Sequence, residues 1–302
     1  MRVDAHCHAA QEGWFGLPWW QALAEEGEAR LGAPAQVLRE TLIPALFDQD
    51  GSGQLGAMEA AGVDVAIMYP HDWSLEKSLG RPPVGWREQN DWYARLAEAH
   101  ADRIRWGFGV DPRQEGAVDA FTEAVRDRGA VCLKLHPAGG WPLDDPVARP
   151  LLERSGELGV PVVIHVGPSP EPLGSDLASP ARLDRVATDF PDLAIQAAHL
   201  GNEAWREVLD VMGRRSNLVG DLSGWQPLFR EDAEGFYGRV REVLDRVGAD
   251  RVMWGTDAPY YRPLVSDDDW VTAFAGAPEG FWSAEEADAV LAGTATRFYG
   301  LA

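Results

Sequence analysis

The stretch Arg2-Val3-Asp4-Ala5-His6-Cys7-His8 reads as a short β-strand ending in two histidines spaced i, i+2. Side chains two apart on a strand share a face, so His6 and His8 project together from the strand end. That geometry places two imidazole nitrogens on one metal ion. Asp4 lies on the same face but deeper, where it would orient a ligand or pair with a basic group. Cys7 alternates to the opposite face and is expected to pack.

The other histidines extend the pattern. Of the 7 histidines, all but His100 fall at the ends of apolar, β-rich runs or just beyond them: His6, His8, His71, His136, His165 and His199. Asp111, Lys134, Asp221 and Asp257 join them there. Alone, His165 in Val162-Val163-Ile164-His165-Val166 reads as a core histidine, and Asp257 after Trp254-Gly255-Thr256 reads as a cap. Joint placement at one rim reverses both readings.

The elements that must position these groups follow from periodicity. The runs are Arg2 to His6, Val63 to Pro70, Ile104 to Asp111, Ala130 to His136, Pro161 to Gly167, Leu193 to Leu200, Asn217 to Ser223 and Val252 to Asp257. Between them lie segments with helical periodicity at Gln54 to Ala61, Glu88 to Ala101, Gly116 to Arg128, Val147 to Leu158, Ala181 to Phe190, Glu203 to Arg215 and Phe236 to Val247, with a last one within Ala284 to Ala292. Continuous apolar strands alternating with amphipathic helices predict an α/β fold, a closed (β/α)8 barrel forming one domain over residues 1–302. Catalytic groups in such barrels gather at the C-terminal strand ends. An open doubly wound sheet would want a Gly-x-Gly-x-x-Gly turn after the first strand, and none is present.

A net charge of −21 excludes the positive footprint that nucleic acids and anionic membranes require. No apolar run approaches the ~20 residues of a membrane span, and the N-terminal stretch lacks a signal-peptide pattern, so a cytoplasmic protein is expected. The cysteines, Cys7 and Cys132, supply neither a disulfide framework nor a four-thiolate site. Only Lys77 and Lys134 among the 27 basic residues are lysines, which draws notice to Lys134 as a titratable amine.

The set Asp4-x-His6-x-His8, Lys134-Leu135-His136-Pro137, Ile164-His165-Val166-Gly167, Ala198-His199-Leu200-Gly201 and Gly255-Thr256-Asp257 resembles the amidohydrolase superfamily, and within it the branch that includes aminocarboxymuconate-semialdehyde decarboxylase. The resemblance implies that His6, His8, His165 and Asp257 hold one divalent metal. It also implies that His199 acts on substrate, or serves as a further ligand where there are two metals. Zinc suits imidazoles plus one carboxylate, with manganese or iron as alternates. In two-metal relatives a lysine at the position of Lys134 is carboxylated and bridges the ions; in the branch resembled here, one metal is usual and Lys134 and His136 line the pocket. Homodimers are common in families of this type.

Residues Ala9 to Gly53 and Pro70 to Gln89 are far longer than ordinary connections of barrel strands. They carry Trp14, Phe15, Trp19, Trp20, Phe47, His71, Trp73 and Trp86, and are expected to form a lid with aromatic walls. With Trp141 and Trp225 also beyond strand ends, a small flat or aromatic substrate is expected, and Arg262 is a candidate grip for its carboxylate. Two reactions fit one site. In a hydrolase, activated water attacks an amide, lactone or related carbonyl, with Asp257 moving the proton and His199 polarising the carbonyl. In the alternative, a non-oxidative decarboxylase, the same groups release carbon dioxide from an aromatic or unsaturated acid. Decarboxylases of this branch often carry an acidic residue directly after His-x-Gly; here Asn202 follows His199-Leu200-Gly201, which favours hydrolysis.

Overall fold

The computed structural model describes residues 1–169 and 172–301. Nine short parallel strands run as β1 (Val3–Cys7), β2 (Val65–Met68), β3 (Ile104–Trp106), β4 (Phe108–Gly109), β5 (Leu133–Leu135), β6 (Val162–His165), β7 (Ile195–Ala198), β8 (Leu218–Asp221) and β9 (Val252–Met253). Each pairs with the next in chain order within β1–β3 and within β4–β9. The expected single run Ile104 to Asp111 is broken into β3 and β4 at Gly107, where a Cβ would sit 2.3 Å from the Cys132 Sγ. Only glycine lets the chain pass so close. Hydrogen bonds carry the ladder across the break, from Gly107 N to Met68 O at 2.9 Å and from Phe108 N to Cys132 O at 2.9 Å.

The remaining gap, between the last strand and the first, closes through Ala5 N to Trp254 O at 3.1 Å, Asp257 N to His6 O at 2.8 Å and His8 N to Ala258 O at 2.8 Å. The structure is therefore a closed barrel of eight strand positions. Closure removes both sheet edges and fixes every strand end on one rim.

Helices follow in order as α1 (Leu17–Leu31), α2 (Ala35–Ala45), α3 (Ser52–Ala61), α4 (Trp86–Ala99), α5 (Ala117–Arg128), α6 (Arg149–Leu158), α7 (Pro180–Asp189), α8 (Trp205–Arg214), α9 (Gln226–Glu231), α10 (Ala233–Val247), α11 (Asp267–Ala275), α12 (Ala284–Asp288) and α13 (Thr294–Tyr299). Those expected from periodicity are present with ends shifted by a few residues. The insertion after β1 differs from the sequence reading, which placed no helix there: α1 and α2 form an antiparallel pair with Trp19, Trp20 and Ala24 buried from α1 and Leu38 and Ile43 from α2. Their apolar positions are sparse among exposed charges, so the helical stripe is narrow. Pro18 at the start of α1 and Gly32 in the left-handed region at its end punctuate the helix.

The barrel interior holds Val3, Ala5, Ile67, Tyr69, Cys132, Val163 and Met253, with Tyr299 of α13 packed into the same cluster. No helix is long and apolar enough to cross a membrane among the described residues.

Candidate metal centre

Strand β1 delivers His6 and His8 to the rim as spacing requires, both essentially unexposed. Their second ring nitrogens are committed. His6 Nδ1 lies 3.1 Å from Asp221 Oδ2, and His8 Nδ1 lies 2.7 Å from the Tyr69 carbonyl. Burial holds both imidazoles below their usual pKa, His6 strongly so. A neutral ring facing a carboxylate or a carbonyl must donate from Nδ1, which leaves a bare lone pair on Nε2.

Those two lone pairs face each other at 3.2 Å, and Asp257 Oδ1 lies 3.2 Å from His8 Nε2 and 3.6 Å from His6 Nε2. Three acceptors converging on one point call for a cation. The donor set, two imidazoles and a carboxylate, fits zinc or manganese. Lys134 Nζ, from β5, is 3.3 Å from His6 Nε2, wholly buried over the Tyr69 ring, and burial pulls its pKa down to about 8.

His199 completes the cluster: its donor atom and those of His6 and Asp257 lie within 4.8 Å of one another. Its Nδ1 is 3.0 Å from the Ser223 carbonyl and 2.9 Å from the Ser223 hydroxyl, which itself donates to Asp221 Oδ1. Both neighbours accept, so His199 also presents a bare Nε2. Its backbone is exceptional, with φ of 60° at His199, 45° at Leu200, 75° at Gly201 and 48° at Asn202. Side-chain-bearing residues enter this region only under external constraint. Here His199 N donates to Asp221 Oδ1 at 3.1 Å, the Trp225 indole donates to the His199 carbonyl at 2.8 Å, and Leu200 fills the space left by Gly220. Asp257 shares the anomaly, with φ of 51°. Burial would raise its pKa, but the neighbouring His199, His8 and His6 rings hold its carboxyl well below the usual range.

Several placements differ from the sequence expectation. His165 stacks on His136 with ring centroids 4.0 Å apart and lies edge-on to His199 at 5.1 Å, but its Nε2 faces the Ser169 hydroxyl at 2.8 Å. The donor group with His6 and Asp257 thus includes His199 where the resemblance put His165. Arg262 does not line the cavity over these histidines: its guanidinium is taken up by Asp267, with contacts of 2.8–3.0 Å, and by Gln54. Trp141 is buried away from that cavity, and Trp225 holds the His199 carbonyl from behind. Asp4 makes no ion pair among the described residues; it accepts from Thr256 and from His6 N, and burial raises its pKa to about 7.

His71 and His136 do line the cavity, with His165, His199 and Asp257 at its floor. His71 stacks on Trp73 at 4.6 Å and 17°, and its ring is 3.8 Å from that of His8. Helices α1 and α2 supply much of the remaining wall through Trp19, Leu23, Leu38 and Leu42, and Tyr260 closes the side near Asp257. Buried polar atoms without a hydrogen-bond partner, among the described residues, include Trp19 Nε1, Trp73 Nε1, His136 Nδ1 and Tyr260 Oη, all on cavity-lining residues. The sequence reading placed Asp221 at the rim without giving it a role, and missed Thr256 and Ser223 as supports; the signal available was that Thr256 directly precedes Asp257 and Ser223 stands two residues after Asp221.

The family model described as amidohydrolase matches residues 3–301. No curated protein matches the chain. Among solved structures, an uncharacterised TIM-barrel protein of Bordetella bronchiseptica superposes with a TM-score of 0.73 at 20% identity, over 99% of this chain and 98% of that one. The 5-carboxyvanillate decarboxylase of Novosphingobium aromaticivorans, complexed with manganese and 4-hydroxy-3-methoxy-5-nitrobenzoic acid, gives 0.69 at 20% identity, over 99% and 96%. An amidohydrolase of Burkholderia multivorans with bound zinc gives 0.68 at 17% identity, over 99% of each chain.

Proposed function

The chain belongs to the amidohydrolase family, and from that premise we propose that it is a metal-dependent, non-oxidative decarboxylase of a small aromatic or unsaturated carboxylic acid. The carrying observation is the cavity over the donor cluster: it is lined by Trp19, Trp73, His136 and Tyr260, each bearing a buried polar atom that has no partner among the described residues. Buried donors and acceptors are normally paired, so these mark where a flat, hydroxylated or carboxylated molecule is received. The likeness to a barrel complexed with manganese and a nitrobenzoic acid supports the same class.

His6, His8 and Asp257 would hold one divalent metal ion, zinc or manganese, with His199 or His165 beside them. When bound, that ion supplies Lewis-acid binding of the substrate carboxylate and neighbouring oxygen. His199, held with Nδ1 as donor, accepts a hydrogen bond from a substrate hydroxyl at Nε2. Asp257, ionised at rest, takes a proton from solvent and passes it to the ring carbon that bears the carboxylate. The carbon–carbon bond then breaks, its electron pair restores the ring, carbon dioxide leaves, and Asp257 is ionised again as it began. Trp73 and His71 fix the ring plane, and the insertions carrying α1, α2 and Trp73 act as the lid that keeps water out.

Hydrolysis of a lactone or amide is the second reading, favoured by Asn202 at the cavity in the place where decarboxylases of this branch often carry an acid. Incubating the manganese- or zinc-loaded chain with carboxyl-labelled hydroxybenzoates, and in parallel with lactones and amides, separates the two. Labelled carbon dioxide is the expected product. Ring-opened acids without carbon dioxide release would overturn the decarboxylase reading in favour of hydrolysis.

A further inference from the structure

Beneath the donor cluster a line of polar groups descends through an otherwise apolar barrel. Asp221 Oδ2 accepts from His6 Nδ1 at 3.1 Å and from Gln196 Nε2 at 2.6 Å. Gln196, from β7, is fully buried, and its Nε2 also reaches the Ala5 carbonyl at 3.4 Å. Its Oε1 accepts from the hydroxyl of Tyr299, which sits on α13 and also approaches the Ala5 carbonyl at 3.3 Å. Around this line lie Val3, Ala5, Ile67, Val163 and Met253. A buried amide in such surroundings is costly unless every hydrogen bond is made.

We infer that Gln196 and Tyr299 are positioning residues for the metal centre, acting through Asp221 on His6. The reasoning concerns orientation. The two ends of the Gln196 amide are chemically opposite, one donating and one accepting. Asp221 only accepts, so the amide N–H must face it, and Oε1 is then turned to Tyr299, whose hydroxyl donates to it. A flipped amide would set Oε1 against the carboxylate and push it away from His6. Tyr299 on α13 therefore anchors the far end of the amide, the amide holds Asp221 in place, and Asp221 keeps Nδ1 of His6 as the donor so that Nε2 faces the metal position. Residues that orient a ligand in this way typically change metal affinity about 10- to 100-fold when removed. The inference rests on the metal-centre reading of His6, His8 and Asp257, not on which reaction the enzyme performs.

The test measures zinc affinity by competition with a chromophoric chelator, on the full chain, for Tyr299→Phe, Gln196→Leu and the double variant. Thr294→Val is the control: it removes a hydrogen bond of the same helix to the Ala249 carbonyl at 3.0 Å without touching the line. Thermal melts of the same proteins without metal report the purely structural cost. Each single variant is expected to weaken zinc binding about 10-fold. The double variant should bind no more weakly than Gln196→Leu alone, because the tyrosine acts through the amide. The control should lower the melting temperature and leave zinc affinity unchanged. Should Tyr299→Phe not fold, Gln196→Met, which keeps length and loses the amide, carries the test. Melting losses in Tyr299→Phe and Gln196→Leu with zinc affinity within about twofold of the parent would reduce both residues to packing and overturn the inference. Additive losses in the double variant would overturn the route through Gln196. A parent chain that binds no zinc or manganese would instead sink the metal-centre reading itself.

Discussion

Thr256 Oγ1 donates to Asp4 Oδ2 at 2.6 Å, and Thr256 N donates to Asp4 Oδ1 at 3.0 Å, so the first strand and the connection after the last are tied by one carboxyl group. The residue after this threonine is Asp257, and the residue two beyond Asp4 is His6. Two members of the donor cluster are therefore held at the barrel seam by the same bond pair. Thr256→Val keeps the shape and removes the hydroxyl donor, leaving a buried carboxyl oxygen short of a partner. The expected cost is about 1–3 kcal/mol, read as a fall in melting temperature of about 2–5 °C. Metal affinity should fall as well, and an unchanged melt together with unchanged metal content would refute the seam role.

His6, His8 and Asp257 are the proposed core of the donor set, their ligand atoms lying 3.2–3.6 Å apart. Protein purified without added metal is expected to contain about one zinc or manganese per chain by mass spectrometry. His6→Ala, His8→Ala and Asp257→Asn should each lose most of it, and chelation should abolish turnover of the parent. Any one of these variants retaining a full complement would remove that residue from the set. Metal content in His165→Ala and His199→Ala then identifies the remaining ligand.

Arg262 is occupied by Asp267, which is 8% exposed. Arg262→Leu leaves that carboxylate buried without its cation, an uncompensated charge that costs on the order of 3 kcal/mol. Stability by denaturant titration should fall accordingly, while KM of the folded variant for an acid substrate should stay near the parent value. A large rise in KM without loss of stability would restore the substrate-gripping role that its position in the sequence suggested.

The strands, their order and the clustering of six histidines at one rim were legible because each rests on local period: apolar runs of four or five residues, and polar residues at their ends. The helices α1 and α2 were not, since their apolar stripe is narrow and broken by exposed Glu and Arg residues. Ligand choice between His165 and His199 was also beyond sequence, because it depends on side-chain partners. Ser169 engages the first ring, and Ser223 turns the second so that Nε2 is free. Arg262 illustrates the same limit: Asp267 stands five residues away, but nothing in that spacing tells a paired arginine from a free one. Gln196 was readable in principle, as the polar side chain within Ile195-Gln196-Ala197-Ala198.

Gly167, directly after the His165-Val166 pair, has φ of 96°, and a Cβ there would meet the Gly201 carbonyl oxygen at 2.3 Å and its carbon at 2.7 Å. Those atoms are backbone, in the left-handed turn that presents His199, so they cannot swing aside as a flexible side chain would. Gly167→Ala must push the connection after β6 away from the one after β7. The two histidines those strands deliver would separate from their 5.1 Å ring spacing. The expected result is a loss of stability of about 2 kcal/mol or more from combined φ strain and overpacking, with metal affinity reduced even in the folded fraction. Gly159→Ala supplies the comparison: its φ is 69° but nothing lies within 4 Å of the added atom. That variant should pay the conformational cost alone and bind metal like the parent. Equal behaviour of the two alanine variants in both measurements would mean that the close approach at Gly167 does not set the spacing of His165 and His199.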